Sequence, residues 1–187
     1  MLPRLAPIER PKNPILKLAY RLSRKQFGKV IGPMKVIYAR KPRLIGLVAL
    51  IQNTLEHGLK IDPALRLLLQ AHAARLNGCS FCDDLALSQA VRARIGAERF
   101  AALEGWRESG VFSAREKAAL AFAEEATRTR DVSDETFAEL RRHFDETEIV
   151  EIAWVNAVEN YFNLQAHPLR IGSDELLEIA TRGPHTS

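Results

Sequence analysis

Apolar residues recur along this chain at three- and four-residue intervals, in segments set apart by Pro, Gly, Ser and Asp. That is the period of a helix with one buried side. Residues 1–14 are the exception. Pro3, Pro7, Pro11 and Pro14 prevent a helix there and predict an extended, surface-hugging segment. Ile15, Leu16, Ala19, Leu22, Phe27 and Val30 then fall at helical spacing, interleaved with Lys17, Arg21, Arg24 and Lys25. This predicts a basic amphipathic helix ending near Gly32-Pro33. Pro42 opens the next helix, with Leu44, Leu47, Val48, Ile51 and Leu55 on one face and Gly58 at its end.

Asp62-Pro63 is an N-cap followed by a first-turn proline, and predicts a helix from Pro63 to about Leu76. Asn77-Gly78 breaks it, and Cys79 begins another, to about Ile95. A short helical piece follows around Glu98–Trp106. Ser113-Ala114-Arg115-Glu116 has the form of a capping box and predicts a helix over Ala114–Arg128. Ser133 caps a helix over Phe137, Leu140 and Phe144, and Asp145 to Glu148 open the longest helix, to about Gln165. Ser173 is expected to cap a last short helix through Leu176, Leu177 and Ile179. No segment alternates with period two between turn signals, so the fold is expected to be all-α, with short connections between antiparallel neighbours.

Charge divides the chain. Residues 1–43 hold 12 Lys/Arg and one acid, Glu9, a balance of +11; residues 44–187 hold 15 Lys/Arg and 22 Asp/Glu, a balance of −7. The reading is a basic N-terminal arm with its amphipathic helix over residues 1–41, then a helical domain over residues 42–187. The arm lacks the interleaved aromatics of a nucleic-acid surface, so it is expected to pack on the acidic body of its own or a neighbouring subunit. The longest apolar run, Leu44 to Ile51, is too short to span a bilayer, and the N-terminus has no apolar core of a secretion signal; a cytoplasmic protein is expected.

The two cysteines, Cys79 and Cys82, stand in a C-x-x-C at the start of a helix. In a reducing compartment that spacing leaves three options: a redox dithiol, half of a metal site, or two packed thiols. A structural zinc site needs four ligands; there is no second C-x-x-C, and His57, His72, His143, His167 and His185 are scattered. No P-loop, dinucleotide fingerprint or nucleophile elbow occurs, so neither metal nor organic cofactor is expected. A helix N-terminus favours thiolate, and two thiols one turn apart form a disulfide after one is oxidised.

The stretch Leu67–Ala90, LLLQAHAARLNGCSFCDDLALSQA, resembles the core helical pair of the carboxymuconolactone decarboxylase / alkylhydroperoxidase D family, with Leu-Asn-Gly-Cys-x-Phe-Cys-x-Asp as its specific part. Trp106–Leu120, Val132–Glu135, Phe144–Ile152 and Asn156–Asn163 resemble the family's later segments, so the likeness runs from about Pro42 to Asp174. The resemblance implies an alkylhydroperoxidase D-like antiparallel helical bundle that assembles as trimers or hexamers. It implies a dithiol that reduces peroxides or disulfides at the expense of a thiol reductant, with Cys82 attacking and Cys79 resolving. It also implies a proton relay of a glutamate twelve residues before the first cysteine and a histidine four after the second. Here those positions hold Leu67 and Ala86. Loss of a general acid/base typically costs about 10²–10⁴-fold in rate.

Nearby polar residues are candidate substitutes. Asp83, four residues after Cys79, is a candidate base, or simply an acid in a helix first turn. His72, seven residues before Cys79, is a candidate, or a hydrogen-bonded core histidine. Asp84 has a weaker case, and Glu124, Glu159 and Tyr161 are placed only by folding. Trp106, Phe122, Trp154 and Phe162 are expected in the core or an interface. The expected function is thiol-based reduction of a peroxide or disulfide. The alternatives are a non-catalytic redox sensor or small-ligand-binding protein, and a lactone-processing decarboxylase.

Overall fold

The protein is described by a computed structural model covering residues 2–182; His185 lies outside them. Among the described residues nine α-helices follow in order: α1 Pro14–Phe27, α2 Arg43–His57, α3 Pro63–Leu76, α4 Ser80–Arg92, α5 Ala97–Ala101, α6 Ala114–Thr129, α7 Asp134–Arg141, α8 Glu146–Ala166 and α9 Leu176–Arg182. One π-helical turn, Met34–Tyr38, and one 3₁₀ turn, Ala102–Gly105, complete the regular structure, and no strand occurs among the described residues. The all-α expectation holds.

The centre is α3. Leu65, Leu67, Leu68, Leu69, Ala71, Ala73 and Ala74 cover more than one face of it, so it must be wrapped on several sides. It packs against α4, α6 and α8. Asp62 starts it as the sequence predicts, accepting the N–H of Ala64 at 2.7 Å. Its neighbours begin with equally local signals: Ser113 and Glu116 form a reciprocal capping box at α6, and Asp145 and Glu148 form another at α8.

Two expectations are corrected. The first helix stops at Phe27 rather than near Gly32, because Gly28 takes φ +80°, the left-handed conformation that closes a helix. Nor is the last helix capped by Ser173 alone. The carboxylate of buried Asp84 accepts the N–H groups of Leu176 and Leu177, both at 2.9 Å, while Ser173 donates its hydroxyl to Asp84 and accepts from Glu175 N–H. A side chain ninety-odd positions upstream thus anchors α9 against α4.

The basic N-terminal segment is fastened to the body. Leu16, Ala19, Tyr20 and Ser23 of α1 are buried. Arg4 N–H donates to Leu169 O at 2.9 Å, Gly32 N–H to Asp174 Oδ2 at 2.5 Å, and Lys29 Nζ to Asp174 O at 2.7 Å. None of the helices among the described residues is long and apolar enough to cross a membrane.

Candidate active site around the dithiol

The turn joining α3 to α4 sets the two sulfurs. Gly78 takes φ +66°, which disfavours any side chain, and an added Cβ would lie 3.4 Å from His167 Cε1. Cys79 N–H donates to Ala74 O at 2.8 Å and Gly78 N–H to Arg75 O at 3.1 Å, closing α3. Asn77 pins the turn to α8 by donating to Oδ1 of both Asn160 and Asn163, each at 2.9 Å. Cys79 then stands in the N-cap position of α4 and Cys82 in its first turn, with Cα atoms 5.4 Å apart and the sulfurs joined as a disulfide. On reduction, the free N–H groups of that helix end favour thiolate.

The sulfurs differ in access. Cys82 borders a cavity of about 70 Å³, whereas Cys79 does not line it. One water needs about 10–15 Å³ of such space, so a small molecule fits and a folded protein does not. Five stretches of chain build the wall. The segment before α2 supplies Ile31, Pro33, Ile37 and Tyr38, α2 supplies Val48 and Gln52, and α3 supplies Gln70. Phe81, Cys82, Leu85, Ala86 and Gln89 come from the α4 side, and Glu159, Phe162, Gln165 and Ala166 from α8. The arm proposed to end at residue 41 therefore provides part of the cavity wall. Burial pushes the Tyr38 phenol above its ordinary range, with Tyr161 adding to the effect.

Glu159 is the one carboxyl on this wall. It is 4% exposed. Its Oε1 accepts from Asn163 Nδ2 at 2.6 Å and its Oε2 from Gln70 Nε2 at 3.2 Å. Gln70 in turn accepts from the buried Arg66 guanidinium at 2.8 Å. A hydrogen-bonded path thus runs from Asn77 in the cysteine turn through Asn163 to Glu159, and on through Gln70 to Arg66. Burial pushes the Glu159 carboxyl up to about 7, outweighing the two amide donors that favour its charged form. The charge of Asp83 adds to the upward push.

The other candidates are placed elsewhere. Asp83 is ion-paired with Arg75 at 3.0 Å and does not line the cavity. Burial raises its pKa and Arg75 opposes the rise. His72 also lies off the cavity. Its Nε2 is 3.3 Å from Glu124 Oε2, and its ring meets Trp106 edge-on at 6.1 Å. Burial lowers the His72 pKa, with the Glu124 charge opposing. Burial works to raise the Glu124 carboxyl, but the Trp106 indole N–H at 3.0 Å and the Arg107 guanidinium at 3.1 Å prevail and hold it below its ordinary value. Asp84 is committed to α9, and Tyr161 opens on a different face, beside Phe122 and Leu164.

Of the relay positions, Leu67 is in the core and Ala86 presents only a methyl to the cavity. Of the three polar residues left to folding, Glu159 alone reaches the dithiol cavity. A signal for it exists in the sequence: Asn156, Glu159, Asn160 and Asn163 recur at i, i+3, i+4 and i+7 in an otherwise apolar helix. Such a polar stripe on a buried face must be hydrogen-bonded internally. Gln70 and Tyr38 carry no comparable signal. Among the described residues no group of three or more His, Cys, Asp or Glu side chains could hold a metal ion.

A helical fold with a C-x-x-C pair at a helix start, one sulfur of which borders a cavity, defines a class of protein. The comparisons give the family: residues 46–125 match the Carboxymuconolactone decarboxylase family, and the chain belongs to it. It is 31% identical over 105 residues to the uncharacterized protein YdfG of Bacillus subtilis (strain 168), covering 55% of this chain and 71% of that one. Among solved structures it is similar to Agrobacterium tumefaciens ATU0492, a protein of unknown function provisionally named antioxidant defence protein AhpD. That match has a TM-score of 0.69 and 26% identity, over 74% of this chain and 96% of that one. The debrominase Bmp8, solved with 2,3,4-tribromopyrrole, shares the fold at a TM-score of 0.81 and 20% identity, over 97% of each chain.

Proposed function

We propose that this protein is a dithiol oxidoreductase that reduces small hydroperoxides, with Cys82 as the attacking thiol and Cys79 as the resolving one. The observation that carries the reading is the asymmetry of the pair: Cys82 borders the cavity, and Cys79 is bonded to it from outside the cavity wall. The Cys82 thiolate attacks the terminal peroxide oxygen, the O–O bond breaks, and Cys82 becomes a sulfenic acid as an alkoxide leaves and is protonated. Cys79 then attacks the Cys82 sulfur, the disulfide forms, and the hydroxyl leaves as water with the Cys79 proton. A dithiol reductant returns two electrons and two protons. The small cavity favours a hydroperoxide over a protein disulfide as oxidant.

Support also comes from the likeness to ATU0492 and its antioxidant name. Exposed Ile15, Leu18, Leu22, Leu47 and Leu50 on α1 and α2 support assembly with further copies, the trimer or hexamer that the family resemblance implies; light scattering tests it. The function is tested by following hydroperoxide consumption with a dithiol reductant. Wild type consumes it, Cys82→Ser does not, and Cys79→Ser is oxidised once, to a sulfenic acid trapped by dimedone. Unimpaired turnover by Cys82→Ser sinks the assignment.

A further inference from the structure

We infer that Glu159 is the proton-handling group of this dithiol, supplied from α8 in place of the relay residues absent at Leu67 and Ala86. The inference rests on the dithiol reading and deepens it. Three observations meet at Glu159. It is the one carboxyl on the wall of the cavity that Cys82 also borders. It is held at both oxygens, by Asn163 and Gln70, which fixes the carboxyl within the wall. And Asn163 also accepts from Asn77 in the cysteine turn, so one amide positions both the sulfurs' turn and the acid.

The charged and titratable groups around it are Arg66 behind Gln70, Asp83 on α4, and Tyr38 and Cys82 on the cavity wall. Gln165 shares that wall, and its buried Oε1 has no hydrogen-bond partner among the described residues, leaving an acceptor for the O–H of a hydroperoxide.

Protons balance through one group. Ionised Glu159 takes the proton of the Cys82 thiol; the thiolate attacks, the O–O bond breaks, and the departing alkoxide takes that proton back from Glu159, leaving Cys82 as the sulfenic acid. Against the unperturbed thiol reference of about 8.5, a carboxyl near 7 leaves the transfer uphill by about 30-fold and one at the ordinary 4.5 by about 10⁴-fold, and the helix end narrows both gaps alike. Burial therefore matches the acid to the thiol.

The test uses full-length protein in the Cys79→Ser background, so that Cys82 is the single thiol. Cys82 alkylation by iodoacetamide and oxidation by cumene hydroperoxide are each followed against pH, with and without Glu159→Gln. Removing a carboxylate from the cavity that the thiol borders lowers the thiol pKa, so alkylation at neutral pH speeds up. Removing the acid slows oxidation by about 10²–10⁴-fold and abolishes its inflection near pH 7. A residue with a merely structural role moves both rates in the same direction, and that result, or no change in either, overturns the inference. Carbon-13 NMR of the glutamate carboxyls in Cys79→Ser, before and after Cys82 is capped, supplies a reading that needs no change at Glu159. The Glu159 titration is expected to move on capping; identical curves overturn the pairing. If Cys79→Ser does not react with the hydroperoxide while both the alkylation and NMR shifts occur, the peroxide reading fails and the pairing stands.

Discussion

Replacing Glu159 with Gln changes the pH dependence of stability in a way the structure specifies. The carboxyl is 4% exposed and its pKa rises from 4.5 in the unfolded chain to about 7 in the fold, chiefly through burial. The folded state therefore binds more protons than the unfolded state between these values, and wild-type stability falls as pH rises through that window. The shift is about 2.5 units, which at 1.36 kcal/mol each makes about 3 kcal/mol lost by pH 8 and nothing lost below the unfolded value. Gln keeps the shape and an oxygen for one of the two amide donors, but never ionises. It also carries a pH-independent offset of about 1–2 kcal/mol for rearranging its hydrogen bonds to Gln70 and Asn163.

The measurement is urea unfolding of the oxidised protein from pH 4.5 to 8, at fixed protein concentration because association shifts apparent stability. The variant-minus-wild-type difference is expected to grow by about 3 kcal/mol in favour of Gln, equivalent to about 6–12 °C in Tm for a chain of this size. Carboxylates whose pKa values are depressed in the fold, such as Glu116 and Glu124, cancel in that difference. A difference that is flat with pH refutes the buried, neutralisable carboxyl.

Three further outcomes follow from single side chains. Asp84→Ala removes the acceptor of four hydrogen bonds, from Ser173, Asp174, Leu176 and Leu177; it is expected to cost about 3–5 kcal/mol and to raise hydrogen exchange at the Leu176 and Leu177 amides, and unchanged exchange there refutes the anchoring role. Glu124→Gln strips a charge from beside His72, so the His72 pKa, already lowered by burial, moves lower still in a proton NMR titration; an upward move contradicts the arrangement. Ala86→Leu adds three carbons to the wall of a cavity of about 70 Å³ and is expected to slow hydroperoxide oxidation of Cys82 by tenfold or more while the thermal midpoint stays within a few degrees; an unchanged rate places the substrate elsewhere.

Most of the fold was legible because it is signalled locally. Asp62-Pro63, the Ser113–Glu116 box and the Asp145–Glu148 box each start a helix where the sequence says, since a cap acts on N–H groups two or three residues away. What escaped depends on residues far apart in the chain. The α9 cap belongs to Asp84, which nothing near Leu176 announces. The end of α1, expected near Gly32-Pro33, falls at Gly28 instead: an added Cβ on Gly32 would lie 2.8 Å from Ile171 Cγ2, so that glycine serves a close approach rather than a helix end.

The candidate site divides along the same line, and the division bears on how its chemistry is built. The sulfurs sit within six consecutive residues, Asn77 to Cys82, so their spacing and helix-end position are readable directly. The acid is not, because the cavity is closed by α8, α2 and the segment before it, and any of these can present a side chain to Cys82. Reading outward from the cysteines along α3 and α4 leads to Leu67 and Ala86, then to Asp83 and His72, which are near in sequence but turned to Arg75 and Glu124. Hydrogen-bond satisfaction is the better guide. A carboxyl buried on the core face of α8 is costly unless partnered. The stripe Asn156, Glu159, Asn160 and Asn163 provides a partner at Asn163, and Asn77 of the cysteine turn completes the path. Placing the sulfurs is therefore a local problem and placing the proton a global one, so the loss of two relay residues beside the cysteines leaves open a supply from across the cavity.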